Sequence, residues 1–239
     1  MHGQKKQAIE LTQAIVAFKI PENVKTAVFP PFTSLHIVAS ELIASKIALG
    51  AQDCSNEIGG AFTGDISTLM LAEAGCKYVI VGHSERRAQH NESSELVKHK
   101  AEAAISAGLI PVICVGENIG ERESGTYLQA ITKQTKDSLP SLAHSSKFII
   151  AYEPVWAIGS GKTPSLAEIT EVHKTIASLL SYDTSVAKHD AVKTAIVYGG
   201  SVKPENAREI LASEGVDGVL VGGASLKAEE FCKIIESAA

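Results

Sequence analysis

The 239 residues carry 45% hydrophobic, 5% aromatic and 21% charged side chains, a globular composition that excludes a collagen, a coiled coil or a disordered tail. A formal charge of −5 and a pI near 5.9 argue against nucleic acid as the main partner and leave small anions open. No apolar run reaches the ~18 residues of a membrane span, and no apolar stretch long enough for a secretory signal follows Lys5-Lys6. Cys54, Cys76, Cys114 and Cys232 form no Cys-x-x-Cys pair, so zinc-ribbon and redox motifs fail and a cytoplasmic protein with reduced thiols is expected.

In chain order, Leu11, Ala14, Ile15 and Phe18 at i, i+3, i+4, i+7 predict an opening helix. Seven short apolar runs then predict strands: Thr26–Phe29, Ile47–Gly50, Tyr78–Val81, Ile110–Val115, Phe148–Tyr152, Thr194–Tyr198 and Gly218–Val221. Several are nearly continuous, as in parallel strands covered on both faces. Lys133–Lys147 reads as a helix end and surface loop, and Phe231, Ile234 and Ile235 share a face of the last helix. Repeated strand–helix units without a linker predict one parallel α/β domain over 1–239, doubly wound or closed as a barrel. The chain opens on a helix where a strand would be regular.

The unusual residues gather just after strands, the edge where parallel α/β folds build sites. Gly199-Gly200-Ser201 and Gly222-Gly223 suit phosphate, because glycine backbone can turn successive N–H groups toward an anion. Each pair also precedes a predicted helix, 204–211 and 226–235, whose N-terminus favours negative charge. Two plain tight turns would read the same way. His83, at a strand-to-helix junction, is either a capping residue or a histidine kept neutral by the helix N-terminus. Glu153, at a strand mouth before Pro154, is either a partly desolvated base or half of a structural ion pair.

Gly159-Ser160-Gly161-Lys162-Thr163 is not a P-loop, since Trp156 stands where that motif needs a glycine. The apolar Val155-Trp156-Ala157-Ile158, flanked by Pro154 and the Gly159/Gly161 pair, instead predicts a hinged flap with an apolar tip.

Assembled in order, these stretches resemble the triosephosphate isomerase family over essentially the whole chain. Gly82-His83-Ser84-Glu85-Arg86-Arg87, Ala151-Tyr152-Glu153-Pro154-Val155-Trp156-Ala157-Ile158-Gly159, Tyr198-Gly199-Gly200-Ser201 and Leu220-Val221-Gly222-Gly223-Ala224-Ser225-Leu226 carry the likeness. Gly60–Ser67 resembles the family's protruding dimer loop. The resemblance implies a (β/α)8 TIM barrel, a homodimer and the interconversion of dihydroxyacetone phosphate and D-glyceraldehyde 3-phosphate, without metal or organic cofactor, nucleic acid or membrane. It implies Glu153 as the base, neutral His83 as the electrophile and Gly159, Ser201, Gly222 and Gly223 as phosphate binders. Cys114 and Glu85 are supporting residues, and Pro154–Lys162 is the lid. These are the roles for which the family is known, not a product of spacing.

The family opens with a strand ending in Asn-x-Lys-Met-x-Gly, whereas this sequence starts at Met1-His2-Gly3. The expected barrel therefore lacks its first strand and the motif's lysine, and Met1 reads as an internal methionine of a longer protein. Two unpaired edges favour poor solubility. A lost electrostatic group costs roughly 3–4 kcal/mol, on the order of a hundred- to a thousand-fold in rate. Nearly inactive behaviour of the chain as written is accordingly expected, and a catalytically silent phosphate-binding barrel is the alternative function. Another phosphate-handling barrel enzyme would share the Gly-Gly pairs without needing the flap beside Glu153.

Overall fold

A computed structural model describes residues 2–141, 147–158, 162–181 and 194–239. The chain enters through helix α1 (Lys5–Val16), then runs through β1 (Ala27–Val28), α2 (Leu35–Glu41), β2 (Ala48–Ala51), α3 (Thr68–Glu73) and β3 (Cys76–Val81). Next come α4 (Ser84–Gln89), α5 (Ser94–Ser106), β4 (Ile110–Val115), α6 (Ile119–Glu123), α7 (Tyr127–Ser138) and β5 (Ile149–Tyr152). Helix α8 (Leu166–Ser181), β6 (Ala195–Tyr198), α9 (Ala207–Leu211), β7 (Gly218–Val219) and α10 (Ala228–Glu236) complete it. Every strand pairs in parallel with the next, giving one seven-stranded sheet in the order β1 to β7.

The near-continuous apolar runs have a plain cause: both faces of the sheet are covered. Ile80, Val112, Cys114 and Ala151 pack together on the face without helices, joined by Phe29, Tyr78 and Leu220. The residues between them, including Val79, Val81, Ile113, Val115 and Ile150, enter a larger core with Ile131 of α7 and Ile169 and Val172 of α8. That is strand alternation with an apolar partner on each side. Pro111, which has no N–H to donate, is tolerated in β4 because pairing with β5 starts only at Val112.

All seven predicted strands are present, with shorter ends at the margins. β1 and β7 keep two residues each, half-buried where the inner strands are mostly buried, because each has a single partner. Among the described residues β1 does not pair with β7, while α1 packs against both α2 and α10 on the outside. The architecture is a TIM barrel left open at one seam, as the sequence predicts.

The opening helix differs in detail from its predicted stripe. Ala8, Thr12 and Ile15 are its buried residues, with Leu11 and Phe18 packed beside them, while Ala14 is exposed. Periodicity over apolar residues missed Thr12 because a threonine can bury its hydroxyl when it donates to a helical carbonyl, here Ala8 O at 2.7 Å. In α10 Phe231, Ile234 and Ile235 are buried as predicted.

Candidate active site

His83 follows β3 after one glycine, Gly82, and caps α4. The chain can turn there because Gly82 sits at φ +67, where a Cβ would lie 2.6 Å from the Val97 side chain. His83 Nδ1 accepts the Glu85 backbone N–H at 3.2 Å, which assigns the ring proton to Nε2. Nε2 then donates to Glu153 Oε1 at 2.9 Å. The second carboxylate oxygen of Glu153 accepts the Ser84 backbone N–H at 2.8 Å.

Glu153 leaves the end of β5 and is 2% exposed. Its backbone N–H donates to Val115 O at 2.8 Å. Gly116 makes that approach possible: a Cβ there would fall 1.7 Å from the Glu153 carbonyl oxygen. The Cys114 thiol is pushed well up, first by burial and then by the adjacent carboxylate charge. Glu85, like Cys114 predicted as a supporting residue, is exposed, with its carboxylate 3.9 Å from His83 Nδ1.

Two effects oppose each other at His83. Burial pushes its pKa down, while the hydrogen bond and charge of Glu153 push it up, and the net shift is upward. A helix N-terminus alone predicts a neutral ring; the carboxylate in contact with it, invisible to local sequence, outweighs that. The hydrogen bonds are nevertheless those of neutral imidazole, since a proton on Nδ1 would face the Glu85 N–H. Moving Glu153 away would remove the upward push.

Ser201, Gly222 and Gly223 follow β6 and β7 at the same end of the sheet. A 3-10 turn, Gly223–Leu226, follows Gly222 as its cap, and a Cβ on either glycine would meet no atom of the described residues within 4 Å. The first N–H groups of such a turn have no partner within it and are available to an anion. The predicted helices behind the two glycine pairs are shorter than the sequence suggests. α9 begins at Ala207, after turn residues at 204–206, and α10 begins at Ala228. The helix after Ser201 therefore starts only at Ala207, and Asn206 Nδ2 donates to the Ser201 carbonyl at 3.0 Å. Gly159, the fourth predicted phosphate binder, lies outside the described residues.

The sequence model of triosephosphate isomerase matches residues 1–238. The chain belongs to the triosephosphate isomerase family. The triosephosphate isomerase of Ruegeria sp. (strain TM1040) is 46% identical over all of this chain and 95% of its own length. That of Afipia carboxidovorans is 47% identical over 92% of this chain and 87% of its own. The crystal structure of triosephosphate isomerase from Bartonella henselae superposes with a TM-score of 0.90 at 40% identity, covering 99% of this chain and 94% of that one.

In this triosephosphate isomerase family chain, the segment after Glu153 is held by residues the motifs do not advertise. Val155–Ala157 form a 3-10 turn, and Ala157 is fully buried. The apolar stretch predicted as a flap tip is thus buried or half-buried against the fold over Val155–Ile158. Glu117, fully buried after β4, accepts Trp156 Nε1 at 2.8 Å and Tyr152 Oη at 3.1 Å on one oxygen, while its carbonyl takes the Val155 N–H at 3.1 Å. Burial pushes the Glu117 pKa up, against the lowering pull of these donors. Arg122 stands 3.7 Å from the same carboxylate and pairs with Glu168, which also accepts from Ser165 past the far end of the segment. One guanidinium therefore stands between the carboxylate that holds Trp156 and the one that holds Ser165. Glu117 carries a sequence signal of the same kind as Glu153: it is a carboxylate just after an apolar strand.

Proposed function

We propose that Glu153 and His83 carry the isomerisation of dihydroxyacetone phosphate and D-glyceraldehyde 3-phosphate that membership of this family entails. The observation that supports the assignment most is the direct 2.9 Å contact between the Glu153 carboxylate and His83 Nε2 at the mouth of the sheet. In that contact the carboxylate is parked, with both oxygens occupied by donors. A substrate carbonyl competing for Nε2–H frees Glu153 to face the neighbouring carbon. The base then takes the carbon-bound proton, the oxygen gains charge against Nε2–H, and the enediolate forms. Nε2 gives its proton to that oxygen and is reprotonated by the neighbouring hydroxyl, and return of the carbon-bound proton to the adjacent carbon completes the isomerisation with no atom gained or lost. His83 serves best here as neutral imidazole, a weaker acid matched to a weakly acidic enediol.

Phosphate recognition is assigned to N–H groups around Ser201, Gly222 and Gly223, with Gly159 from the lid. The open backbone at Gly222 and Gly223 supports this. The chain is further proposed to act as a homodimer, in line with the exposed Ile58, Phe62, Leu69 and Met70 on and beside the Gly60–Ser67 loop. A cytoplasmic location fits its four free thiols, and no described helix is long and apolar enough to cross a membrane. The reading is tested by steady-state isomerisation of Glu153→Gln and His83→Gln. Each variant is expected to lose on the order of a hundred- to ten-thousand-fold in kcat. Parental rates in Glu153→Gln would overturn the assignment and favour another phosphate-handling reaction.

A further inference from the structure

Arg87, on α4 four residues past His83, turns its head inward beneath the turn that carries that histidine. Its Nε donates to the Gly82 carbonyl at 2.8 Å and its Nη1 to Ser94 Oγ at 3.2 Å. Nη2 donates to the Cys114 carbonyl at 3.0 Å and to Ser138 Oγ at 3.1 Å. Four of the five guanidinium N–H donors are thereby used, each on a neutral oxygen. Among the described residues no carboxylate pairs with it directly. Drawing a cation from water without a counter-ion is costly, so the fold retains this one against a penalty.

The two carbonyls it grips explain where that penalty goes. Gly82 immediately precedes His83, and Cys114 is the next-to-last residue of β4, with its thiol beside Glu153. The left-handed turn at Gly82 and the guanidinium fit each other: a Cβ there would come within 2.9 Å of Nη2. A lysine could not reproduce this, since a single ammonium cannot span four acceptors on a planar fork.

We infer that Arg87 is a positioning residue for the proton-transfer pair, clamping the Gly82–His83 turn to the end of β4 while its unpaired charge offsets that of the Glu153 carboxylate. The inference rests on Glu153 being the base. Burial lowers the guanidinium's pKa from its ordinary value, opposed by the negative charge of Glu153 and Glu92, and an arginine stays charged through it. The titratable groups around the pair are Glu85 of α4, Glu92 of the α4–α5 loop, Cys114 of β4 and Arg87 itself.

The test measures kcat and KM between about pH 5 and pH 9 for Arg87→Met and Arg87→Lys, with folding checked by circular dichroism. Arg87→Met is expected to lose at least about tenfold in kcat with KM within about threefold, because the side chain lies beneath the site. The acidic limb of its kcat/KM profile is expected to move up by about one pH unit, as removal of a nearby positive charge requires. Arg87→Lys keeps the charge without the clamp, so its acidic limb stays with the parent while kcat recovers only in part. A merely structural arginine would lower the folded fraction and leave the limb in place. Arg87→Met with an unmoved limb and kcat within about threefold overturns the inference. If Arg87→Met does not fold, full kcat in Arg87→Lys overturns it instead. Glu153→Gln measured alongside separates the two levels: activity there defeats the base assignment, whereas its inactivity beside an unaltered Arg87→Met defeats only the role of Arg87.

Discussion

Lys100→Met probes the ion cluster behind the helix that carries His83. Lys100 is 4% exposed, yet its ammonium meets Asp53 at 2.8 and 3.0 Å and Glu92 at 2.6 Å. Arg86 of α4 completes the cluster, 2.9 Å from Asp53 and 2.7 Å from Glu92. Methionine preserves most of the stem's packing and removes the charge. Taking one partner from a buried pair costs about 3–5 kcal/mol, because the other is left uncompensated. Arg86 still faces both carboxylates, so the low end, about 3 kcal/mol, applies here. Against a typical stability of about 5–15 kcal/mol this lowers a urea midpoint by about 1 M or more. The deficit also depends on pH in a defined direction. Burial already holds the Asp53 carboxyl above its ordinary value with Lys100 in place. Without the ammonium it rises further, so the folded variant binds a proton that the unfolded chain releases, and its stability falls as pH rises. The deficit is therefore largest near neutrality and shrinks on acidification toward pH 5, by up to about 1.4 kcal/mol per pH unit for one proton. Urea titrations of parent and variant by far-ultraviolet circular dichroism, at about pH 7.5 and pH 5.5, measure both quantities. A deficit below about 1 kcal/mol, or one equal at the two pH values, would refute the reasoning.

Two further outcomes follow from buried polar groups. His173, fully buried on α8, donates Nδ1–H to Gly215 O at 2.9 Å, and its Nε2 has no partner among the described residues. Burial lowers its pKa below 6.5, so its stabilising contribution is complete above that value and is lost as pH falls through the lower folded value. His173→Gln, whose amide can still donate to Gly215, should flatten the acid side of the stability profile relative to the parent; an unchanged slope contradicts this. Trp156→Phe removes the donor at 2.8 Å from Glu117 and is expected to cost about 2 kcal/mol of stability, as for a hydrogen bond to a charged group. Its coupling to Glu117→Gln in a double-mutant cycle should exceed about 1 kcal/mol, and a coupling near zero denies that contact.

The strands were legible because the chain covers both faces of its sheet, so apolar runs such as Ile110–Val115 stand out even with Pro111 inside one. The ends of the edge strands were not, since β1 and β7 have one partner each and stop where that partner stops. Within the site, His83 and Glu153 could be picked out by their places after strands, yet their contact joins residues far apart in the chain and follows only from the curl of the sheet. The same distance hides Arg87 from any local pattern: its acceptors Gly82, Ser94, Cys114 and Ser138 come from four separate segments. The helices behind the glycine pairs were overestimated because Pro204 and Lys227 precede helix-favouring residues while the backbone there still completes a turn.

Incorporation of deuterium from D2O into dihydroxyacetone phosphate, followed by proton NMR, tests the proton-transfer claim most directly. The parent chain should exchange the transferable hydrogen beside the carbonyl as it isomerises the substrate. Glu153→Gln should slow both processes together, by on the order of a hundredfold or more. Exchange persisting at the parental rate in Glu153→Gln would contradict the account, because another group would then be removing the proton.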